Sequence, residues 1–468
     1  MKAIQDRMGR GVPWAMVALV AAVGGGGKGL AQAPSGSSST PAAGALRILK
    51  SNPYYFEDPQ GRPVVLIGDY TWGTFSDLDY DAKAFLDSHL ARGLNLCRVW
   101  LWWGAEQFPE ETKYVGRSHI EPYLRPGPGT ANDGKPRYDL TRFNEKFFDR
   151  LRELCSAARV RGVFLQLITV DAWMLKHPHL WKLHAYHRDN NVNGVDGDPK
   201  DTGKGIDGKA GFCSMGNPKA LEFQKAYIRK LVDAVTEFDN IYFEIANENY
   251  YCREWELHLC DFIREYEKGK PRQHLTMPRD FPSHSDVVQK WDPEIVHQGM
   301  LKKRELRRPL LFDTDWIINE KDDEVRKAMW SAVLSGGHFS YMDDSLDQFR
   351  LKPDPDRRRR LHEQIDHLAA FVKEIKPWQM EPDEAAVKSG HAFALISLEE
   401  LAAYLPVGGI VGLDLTRMKR PLAARWYNPR DGRLGEERKI RDASDSRFEA
   451  PDGNDWVLFI RTTAPSSE

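Results

Sequence analysis

Short apolar runs alternate with amphipathic segments along most of the chain. The segment 139–160 shows the helical pattern most clearly, because its apolar residues recur three or four positions apart and draw one stripe. A second helix is predicted over 217–237, where Asn217 offers a cap and Pro218 takes the first helical position. Further helices are predicted near residues 78–92, 253–268, 322–335 and 357–376.

Eight apolar runs between these helices are predicted to form β-strands. Continuous apolar runs are typical of parallel strands that are buried on both faces. Eight repeats of strand and helix indicate a (β/α)8 barrel, since an open doubly wound sheet would carry a glycine-rich turn after its first strand. The eight runs are 62–70, 93–103, 162–170, 240–248, 273–279, 293–299, 308–316 and 336–343.

The pattern changes after Trp378. Five short strand-like runs follow, separated by turn signals such as NPRDGR at 428–433. These runs predict a small β-sandwich over residues 379–468. The predicted fold class is therefore α/β, with a (β/α)8 TIM barrel over residues 46–378 and a C-terminal β-sandwich domain.

The first 45 residues have the composition of an export signal and a linker. Three basic residues precede an apolar run at 12–23, and Ala31-Gln32-Ala33 offers a cleavage site, which predicts a signal peptide over residues 1–33. The apolar run is too short to span a bilayer. Residues 34–45 are rich in Ser, Pro, Gly and Ala and are predicted to form a flexible linker. We therefore expect a secreted or periplasmic protein.

Charge and cysteine content exclude several classes of partner. Lys and Arg together number 66 and Asp and Glu 68, so the chain has no basic field that would attract nucleic acid, and no membrane partner is expected after signal cleavage. The five cysteines are odd in number and lack CxxC spacing, which argues against a disulfide framework and a structural zinc site. A single bridge between Cys213 and Cys252 stays open, although the sequence gives little reason to expect it.

The segment 189–211 is dense in Asp, Asn and Gly and could supply oxygen ligands for calcium. It lacks the EF-hand spacing and its closing glutamate. We expect a long loop over the barrel mouth, with no metal and no cofactor.

Carboxylates and aromatic rings follow the predicted strands at their C-terminal ends, where a barrel carries its chemistry. Aromatic faces stack on sugar rings, and carboxylates and amides bind hydroxyl groups, so a carbohydrate substrate is expected. The candidate substrate-binding residues are Asp69, Trp72, Arg98, Trp100, Trp103, Asp171, Asn247, Tyr250, His297, Trp316 and Tyr341.

Some of these candidates also have structural interpretations. Arg98 is expected to pair with a buried carboxylate, and Glu244 is the expected partner because it lies four residues before Glu248 on the same strand face. Trp100 can serve in barrel packing, and His297 can be a buried structural histidine. Glu248 is different, because a carboxylate beside Asn247 after a buried strand has little structural reason to be there.

The sequence resembles the clan A glycoside hydrolases, which are retaining (β/α)8 enzymes. Their mark is an Asn-Glu pair that closes strand four, here Asn247 and Glu248, with an arginine on strand two, here Arg98. The resemblance implies that Glu248 is the general acid/base and that Asn247 holds the sugar 2-hydroxyl. More closely, four segments look like secreted cellulase-like and apiosidase-like bacterial proteins with a C-terminal β-domain: GDYTWGTFSD (68–77), NNVNG (190–194), FEIANEN (243–249) and FDTDW (312–316).

The departure from this family lies on the seventh predicted strand. The family's nucleophilic glutamate stands five residues after the proline that opens the strand, and counting from Pro309 that position is Thr314. Asp313 and Asp315 flank it, and we favour Asp315 because an aromatic residue, Trp316, follows it as in the family. Aspartate is one methylene shorter than glutamate, so the strand must bulge or the substrate must sit deeper.

The predicted function is an exported glycoside hydrolase that cleaves poly- or oligosaccharides with Glu248 and either Asp315 or Asp313 as its two carboxylates. Retention needs these carboxyl groups about 5 Å apart, whereas inversion needs about 6.5–9.5 Å. The alternative is a carbohydrate-binding barrel that has lost catalysis, because Thr314 stands where the nucleophile is expected. Which glycan is cut and the oligomeric state are not fixed by the sequence.

Overall fold

The computed structural model describes residues 45–463 apart from short gaps at 59, 72, 102–119, 250, 284–285, 289, 315–319, 344–353 and 442–445. The described residues all belong to one compact unit. The predicted signal peptide and almost all of the predicted linker lie outside the described residues.

Twelve strands precede the C-terminal domain in the described part of the chain. They are β1 (Arg47–Ile48), β2 (Phe56–Glu57), β3 (Pro63–Val64), β4 (Ile67–Tyr70), β5 (Leu96–Trp100), β6 (Tyr123–Leu124), β7 (Asp139–Phe143), β8 (Phe164–Asp171), β9 (Ile241–Asn247), β10 (Thr276–Met277), β11 (Leu311–Asp313) and β12 (His338–Met342).

Ten α-helices lie between and after these strands among the described residues. They are α1 (Gly73–Ser76), α2 (Ala82–Arg92), α3 (Glu145–Arg159), α4 (Ala172–Lys176), α5 (Pro178–Trp181), α6 (Pro218–Val235), α7 (Arg253–Glu267), α8 (Pro293–Lys303), α9 (Asp322–Val333) and α10 (Pro355–Glu374). None of the described helices is long and apolar enough to cross a membrane.

Seven of the described strands form one parallel sheet, which curls into a half-barrel in the order β10-β9-β8-β5-β4-β12-β11. Hydrophobic residues on both of its faces are buried, as in β8, where all eight residues are buried. This arrangement confirms the barrel-type α/β fold. Helices α3 and α6 pack beside each other on the outside of the sheet and contribute Leu151 and Leu231 to one core cluster.

The prediction of a strand at 293–299 was wrong, because these residues lie in α8. Asp292 caps this helix by accepting a hydrogen bond from the Ile295 amide, and a proline stands at its start. Val296 and Met300 are four residues apart and both buried, so the apolar spacing is helical. The predicted helix at 139–160 was also too long, since β7 occupies its first turn and α3 begins at Glu145.

An apolar layer closes the N-terminal end of the sheet. The short antiparallel sheet β1-β2-β3 lies at this end, and the ring of Phe56 packs 5.2 Å from that of Phe281 and 4.9 Å from that of His338. The layer is completed by side chains from the first residues of several strands. Its buried members are Leu46, Phe56, Leu66, Leu96, Phe164, Tyr242, Met277, Phe281 and Leu311.

The C-terminal region consists of antiparallel sheets, as predicted. One sheet has six strands in the order β13-β15-β16-β21-β18-β19, and the other has three in the order β14-β17-β20. The strands are β13 (Glu381–Pro382), β14 (Val387–Ser389), β15 (Phe393–Ile396), β16 (Glu400–Leu405), β17 (Ile410–Leu413), β18 (Leu422–Tyr427), β19 (Arg438–Ile440), β20 (Arg447–Glu449) and β21 (Trp456–Thr462).

The six-stranded sheet has two buried faces. One face shares a core with the three-stranded sheet. The other packs on the barrel helices, where Tyr427 contacts the rings of Trp330 on α9 and Phe371 on α10. A buried ion pair between Arg326 and Asp455, 2.9 Å apart, joins the same two surfaces. The C-terminal strands therefore support the helices that surround the half-barrel.

Candidate active site

Arg98 occupies the centre of the half-barrel on β5 and is fully buried. Its guanidinium lies over the rings of Tyr70 and Trp100, with its carbon 4.9 and 4.8 Å from the two ring centroids. Cation–π contacts of this kind are strongest where the cation has lost its water. Trp100, a predicted substrate-binding residue, is thus engaged by the arginine.

Asp313 at the end of β11 is held by Arg98 and Tyr70. The Arg98 Nη1 atom donates to Asp313 Oδ2 at 2.9 Å, and the Tyr70 hydroxyl donates to Oδ1 at 2.8 Å. The same hydroxyl accepts a hydrogen bond from Arg98 at 3.0 Å. Both carboxylate oxygens of Asp313 are therefore fixed in position by donors from β4 and β5, which lie two and three strands away in the curled sheet.

Glu244 on β9 forms the second carboxylate contact of Arg98, as the sequence predicted. Arg98 Nη2 lies 3.2 Å from Glu244 Oε2. Gln166 on β8 donates to the same oxygen at 2.6 Å and accepts from the Tyr242 hydroxyl at 2.8 Å. Hydrogen-bonded support is what a buried ion pair needs to offset its desolvation.

Asn247 connects this cluster to the strand ends. Its Oδ1 atom accepts a hydrogen bond from Arg98 at 3.1 Å. Its amide side chain also hydrogen-bonds the carboxyl group of Asp171, which lies directly beside it in the register of β8 and β9. Both ends of the Asn247 side chain are thereby oriented.

Glu248 follows Asn247 in a left-handed backbone conformation with φ of +52°. Few non-glycine residues adopt this region, and those that do often lie at functional sites. Glu248 Oε2 lies 2.6 Å from the Nζ atom of Lys176, which is the last residue of α4. The Glu248 side chain keeps 13% of its surface exposed, compared with 1% for Asp313.

Asp171 begins α4 by accepting a hydrogen bond from the Trp173 amide at 3.0 Å. Burial of the carboxyl group, and next the charge of Glu248, raise the pKa of Asp171 from 3.8 to about 8, although Asn247, Lys176 and the Trp173 amide oppose the shift. Asp171 therefore carries a proton at neutral pH in the immediate surroundings of Glu248.

The structure places three predicted substrate-binding residues elsewhere. The Asp69 carboxylate lies on the helix side of β4, 2.5 Å from Arg92 and 3.2 Å from His89 of α2. Burial opposes its ionisation, but His89, Arg92 and His362 outweigh burial and lower the pKa of Asp69. Tyr341 on β12 pairs with Asp69 on β4 in the register of the sheet. Its side chain is buried in the core cluster that also contains Trp330 of α9 and Phe371 of α10.

His297 is the third of these residues, because it lies on α8 and not at a strand end. Its ring stacks on that of Phe393 in the C-terminal domain at 4.1 Å, and its Nδ1 is 2.7 Å from the Ser335 hydroxyl. The structural interpretation of His297 is therefore the one that the contacts favour.

Five predicted residues lie outside the described part of the chain. They are Trp72, Trp103, Tyr250, Asp315 and Trp316. In contrast, the structure adds Tyr70, Gln166 and Lys176 to the cluster, none of which was a candidate site residue from the sequence. Tyr70 lies on the opposite face of β4 from Asp69, but both faces of this strand are buried, so the sequence gives no sign of which residue points to the centre. Lys176 gave no signal, because its place depends on where α4 ends.

Polar side chains of the segment 189–211 form hydrogen bonds with backbone groups in and near their own loop. Asn191 donates to the carbonyl groups of Ala185 and Val195 at 3.1 and 2.9 Å, and it accepts from the Val195 amide. Asp198 accepts from the Gly203 amide at 2.7 Å. Within the described residues, no group of three His, Cys, Asp or Glu side chains could hold a metal ion.

Two protein families match parts of the sequence. A family described as a domain of unknown function, DUF6298, matches residues 118–279, which contain β8, β9 and Glu248. A family described as "Putative collagen-binding domain of a collagenase" matches residues 383–461 in the C-terminal sheets. No curated protein matches the chain.

Solved structures show the same fold over almost the whole chain. A glycoside hydrolase family 5 structure from Bacteroides vulgatus ATCC 8482 is 16% identical and has a TM-score of 0.62, over 90% of this chain and 94% of that one. A second structure from that organism, titled "putative glycoside hydrolase", is 13% identical with a TM-score of 0.64, over 92% and 84%. The protein therefore has the TIM-barrel-type fold of these structures.

Proposed function

We propose that this protein is an exported glycoside hydrolase that cleaves poly- or oligosaccharides by a retaining mechanism with two carboxylates. The observation that carries the proposal is the hydrogen-bonded series from Asp313 through Arg98 to Asn247, which is followed directly by Glu248. Three strands, β11, β5 and β9, thus bring the Asp313 carboxylate and the partly exposed Glu248 carboxylate to the same end of the sheet. Glycoside hydrolysis needs such a pair.

Asp313 acts as the nucleophile in this proposal. Arg98 and the Tyr70 hydroxyl hold both of its oxygens in fixed positions, which orients the carboxylate for attack on the anomeric carbon. Its side chain is 1% exposed, so the sugar must enter deeply to meet the shorter aspartate. Asp315, which the sequence favoured, remains a candidate outside the described residues.

Glu248 acts as the general acid and base. In the first step the Asp313 carboxylate bonds to the anomeric carbon, the glycosidic C–O bond breaks, and the Glu248 proton passes to the leaving oxygen. In the second step ionised Glu248 takes a proton from water as that water attacks the anomeric carbon and releases Asp313. The left-handed turn at Glu248 sets the direction of its side chain.

Lys176 and Asp171 adjust the proton on Glu248. The Lys176 ammonium at 2.6 Å stabilises ionised Glu248 in the unliganded protein, so substrate binding must weaken this contact before Glu248 can donate. Asp171 retains a proton beside Glu248 at neutral pH, because burial disfavours its ionised form. The protonation of Asp171 and that of Glu248 are therefore coupled, because the charge of Glu248 raises the pKa of Asp171.

The alternative function, a sugar-binding barrel without catalysis, is motivated by Thr314. The Thr314 hydroxyl accepts a hydrogen bond from the Met342 amide at 2.8 Å and so links β11 to β12. Thr314 therefore has a structural role, and the neighbouring Asp313 supplies the carboxylate that the catalytic proposal needs. Export is supported by the pattern of basic and apolar residues at the N-terminus.

The test is release of reducing sugar from a panel of plant cell-wall and microbial polysaccharides by the wild type and Glu248→Gln. Glu256→Gln is the matched control, because Glu256 is a buried glutamate on α7 whose pKa is raised well above its usual value by burial. We expect the wild type and Glu256→Gln to release product and Glu248→Gln to lose at least about 100-fold in rate. Equal rates for Glu248→Gln and the wild type would contradict the proposal. Binding without product by the wild type would support the sugar-binding alternative.

A further inference from the structure

We propose that Cys213 and Cys252 form a disulfide bond when the chain folds in an oxidising compartment, and that this bond ties the long loop after β8 to the turn that follows Glu248. The inference concerns covalent structure and does not depend on glycoside hydrolysis.

The two thiols lie in side-chain hydrogen-bonding contact. Cys213 is fully buried and Cys252 is 5% exposed, and both belong to the same core cluster. Cys252 is the cap residue of α7, whereas Cys213 lies in the loop that precedes α6. Contact between thiols from separate segments is the first condition for a disulfide, which also needs Cα atoms within about 7 Å of each other.

Backbone contacts hold both cysteines in this arrangement. The Cys213 amide donates to the Gly205 carbonyl at 3.3 Å, and the Cys252 thiol lies 3.8 Å from the Ile206 carbonyl. A Cβ atom on Gly208 would lie 3.7 Å from Cys252 Sγ, so the loop packs closely against this thiol. Both cysteines therefore pack against the same stretch of loop, residues 205–208.

The other three cysteines lie in different surroundings. Cys97 and Cys260 contact backbone carbonyl groups of Arg98 and Met277 through their sulfur atoms. Cys155 lies on the buried face of α3. All five cysteines are buried and are free thiols in this structure, and the proposed bond would leave these three reduced.

Oxidation requires a disulfide-containing partner, either oxidised glutathione or a dithiol oxidoreductase. Two exchange steps join Cys213 Sγ to Cys252 Sγ, reduce the partner's disulfide to two thiols and transfer the two cysteine protons to them. Burial raises the pKa of the Cys213 thiol well above its usual value, so the folded protein reacts slowly. The bond must therefore form during folding.

The bond has a local consequence for the proposed active site. Cys252 lies four residues after Glu248, and its amide donates to Asn249 Oδ1 at 3.2 Å within the turn that begins at the left-handed Glu248. A covalent link to the opposite loop would restrict this turn. We therefore expect the oxidised protein to melt several degrees higher than the reduced protein.

The experiment maps cysteines by mass spectrometry after the chain is refolded from guanidinium in a glutathione redox buffer, quenched with acid and alkylated in denaturant. We expect one linked peptide that contains Cys213 and Cys252, with Cys97, Cys155 and Cys260 alkylated before reduction. The same mapping on chain exported to a bacterial periplasm provides a second measurement that does not depend on refolding in vitro.

Cys213→Ser and Cys260→Ser are the matched pair of variants, since both replace a fully buried thiol. The Cys213→Ser protein should lose the linked peptide and the difference in melting temperature, whereas Cys260→Ser should keep both. Alkylation of all five cysteines before reduction in correctly folded protein, or a link between any other pair, would overturn the proposal.

Discussion

The two ends of the parallel sheet differ sharply, although the same strands build both. At the N-terminal end, Leu96 of β5 and Tyr242 of β9 lie in an apolar layer closed by Phe56. Two residues further along, toward the opposite end, the same strands carry Arg98 and Glu244 as a fully buried ion pair. One end gains stability from burying apolar surface, whereas the other requires charges to be desolvated.

The apolar end of the sheet therefore contributes mainly to stability, and the charged layer contributes mainly to the proposed chemistry. Buried ion pairs add little net stability compared with apolar packing, so the charged end is not explained by folding alone. The charged layer instead gives rigid positions to Asp313 and Asn247, next to the partly exposed Glu248. Substitutions at the two ends should therefore affect different measurements.

Arg98→Met gives the largest expected effect, because it removes the cation between Glu244 and Asp313. Removing one partner of a buried ion pair costs about 3–5 kcal/mol. We expect guanidinium denaturation to show this loss and product release to disappear. An active Arg98→Met protein of unchanged stability would show that Arg98 neither stabilises the fold nor positions the catalytic carboxylates.

Phe56→Ala tests the apolar end. The Phe56 side chain is 1% exposed and packs on Phe281 and His338. Truncating a buried phenylalanine costs about 3–5 kcal/mol of unfolding free energy. The rate of product release per folded molecule should stay within about twofold of the wild type at 25 °C. A large loss of rate with little loss of stability would contradict the idea that the apolar end contributes to stability and only the charged end to catalysis.

Lys176→Met sharpens the account of the charged end with a smaller effect. Without the ammonium 2.6 Å from Glu248, the protonated acid persists to higher pH. We expect the alkaline limb of the kcat/KM profile to move up by about one pH unit. The control is Lys182→Met, which replaces another lysine in the segment after β8 and should leave the limb in place. A downward shift for Lys176→Met would contradict the proposed contact.

Asp171→Asn has the smallest expected effect, on the pH dependence of stability. The pKa of Asp171 is raised from 3.8 to about 8, so between these values the folded protein binds a proton that the unfolded chain lacks. The contribution of this carboxyl group to stability therefore falls as the pH rises from 4 to 8. Denaturation of both proteins across this range should show that the unfolding free energy of the variant rises relative to that of the wild type as the pH rises. A constant difference would contradict the raised pKa.

The sequence predicted the fold class and the strand that carries Asn247 and Glu248, because an apolar run followed by two polar residues is a strong local signal. It could not predict which of Asp69 and Tyr70 faces the centre, since both faces of β4 are buried and alternation leaves no polar side. It mistook α8 for a strand because seven residues hold too few turns to show helical periodicity. The contact between Lys176 and Glu248 depends on the end of α4, which is a tertiary property.

The most direct test of the central claim is azide rescue of Asp313→Ala and Glu248→Ala, with a dinitrophenyl glycoside of the sugar that the polysaccharide screen identifies. Departure of this leaving group needs no acid, so the Glu248→Ala protein should still form the glycosyl intermediate. Azide should then attack that intermediate, restore the activity of Glu248→Ala and give a glycosyl azide with the anomeric configuration of the substrate. For Asp313→Ala, azide should attack in place of the carboxylate and give the inverted glycosyl azide. An Asp313→Ala protein that turns over at the wild-type rate without azide would contradict the assignment of the two carboxylates.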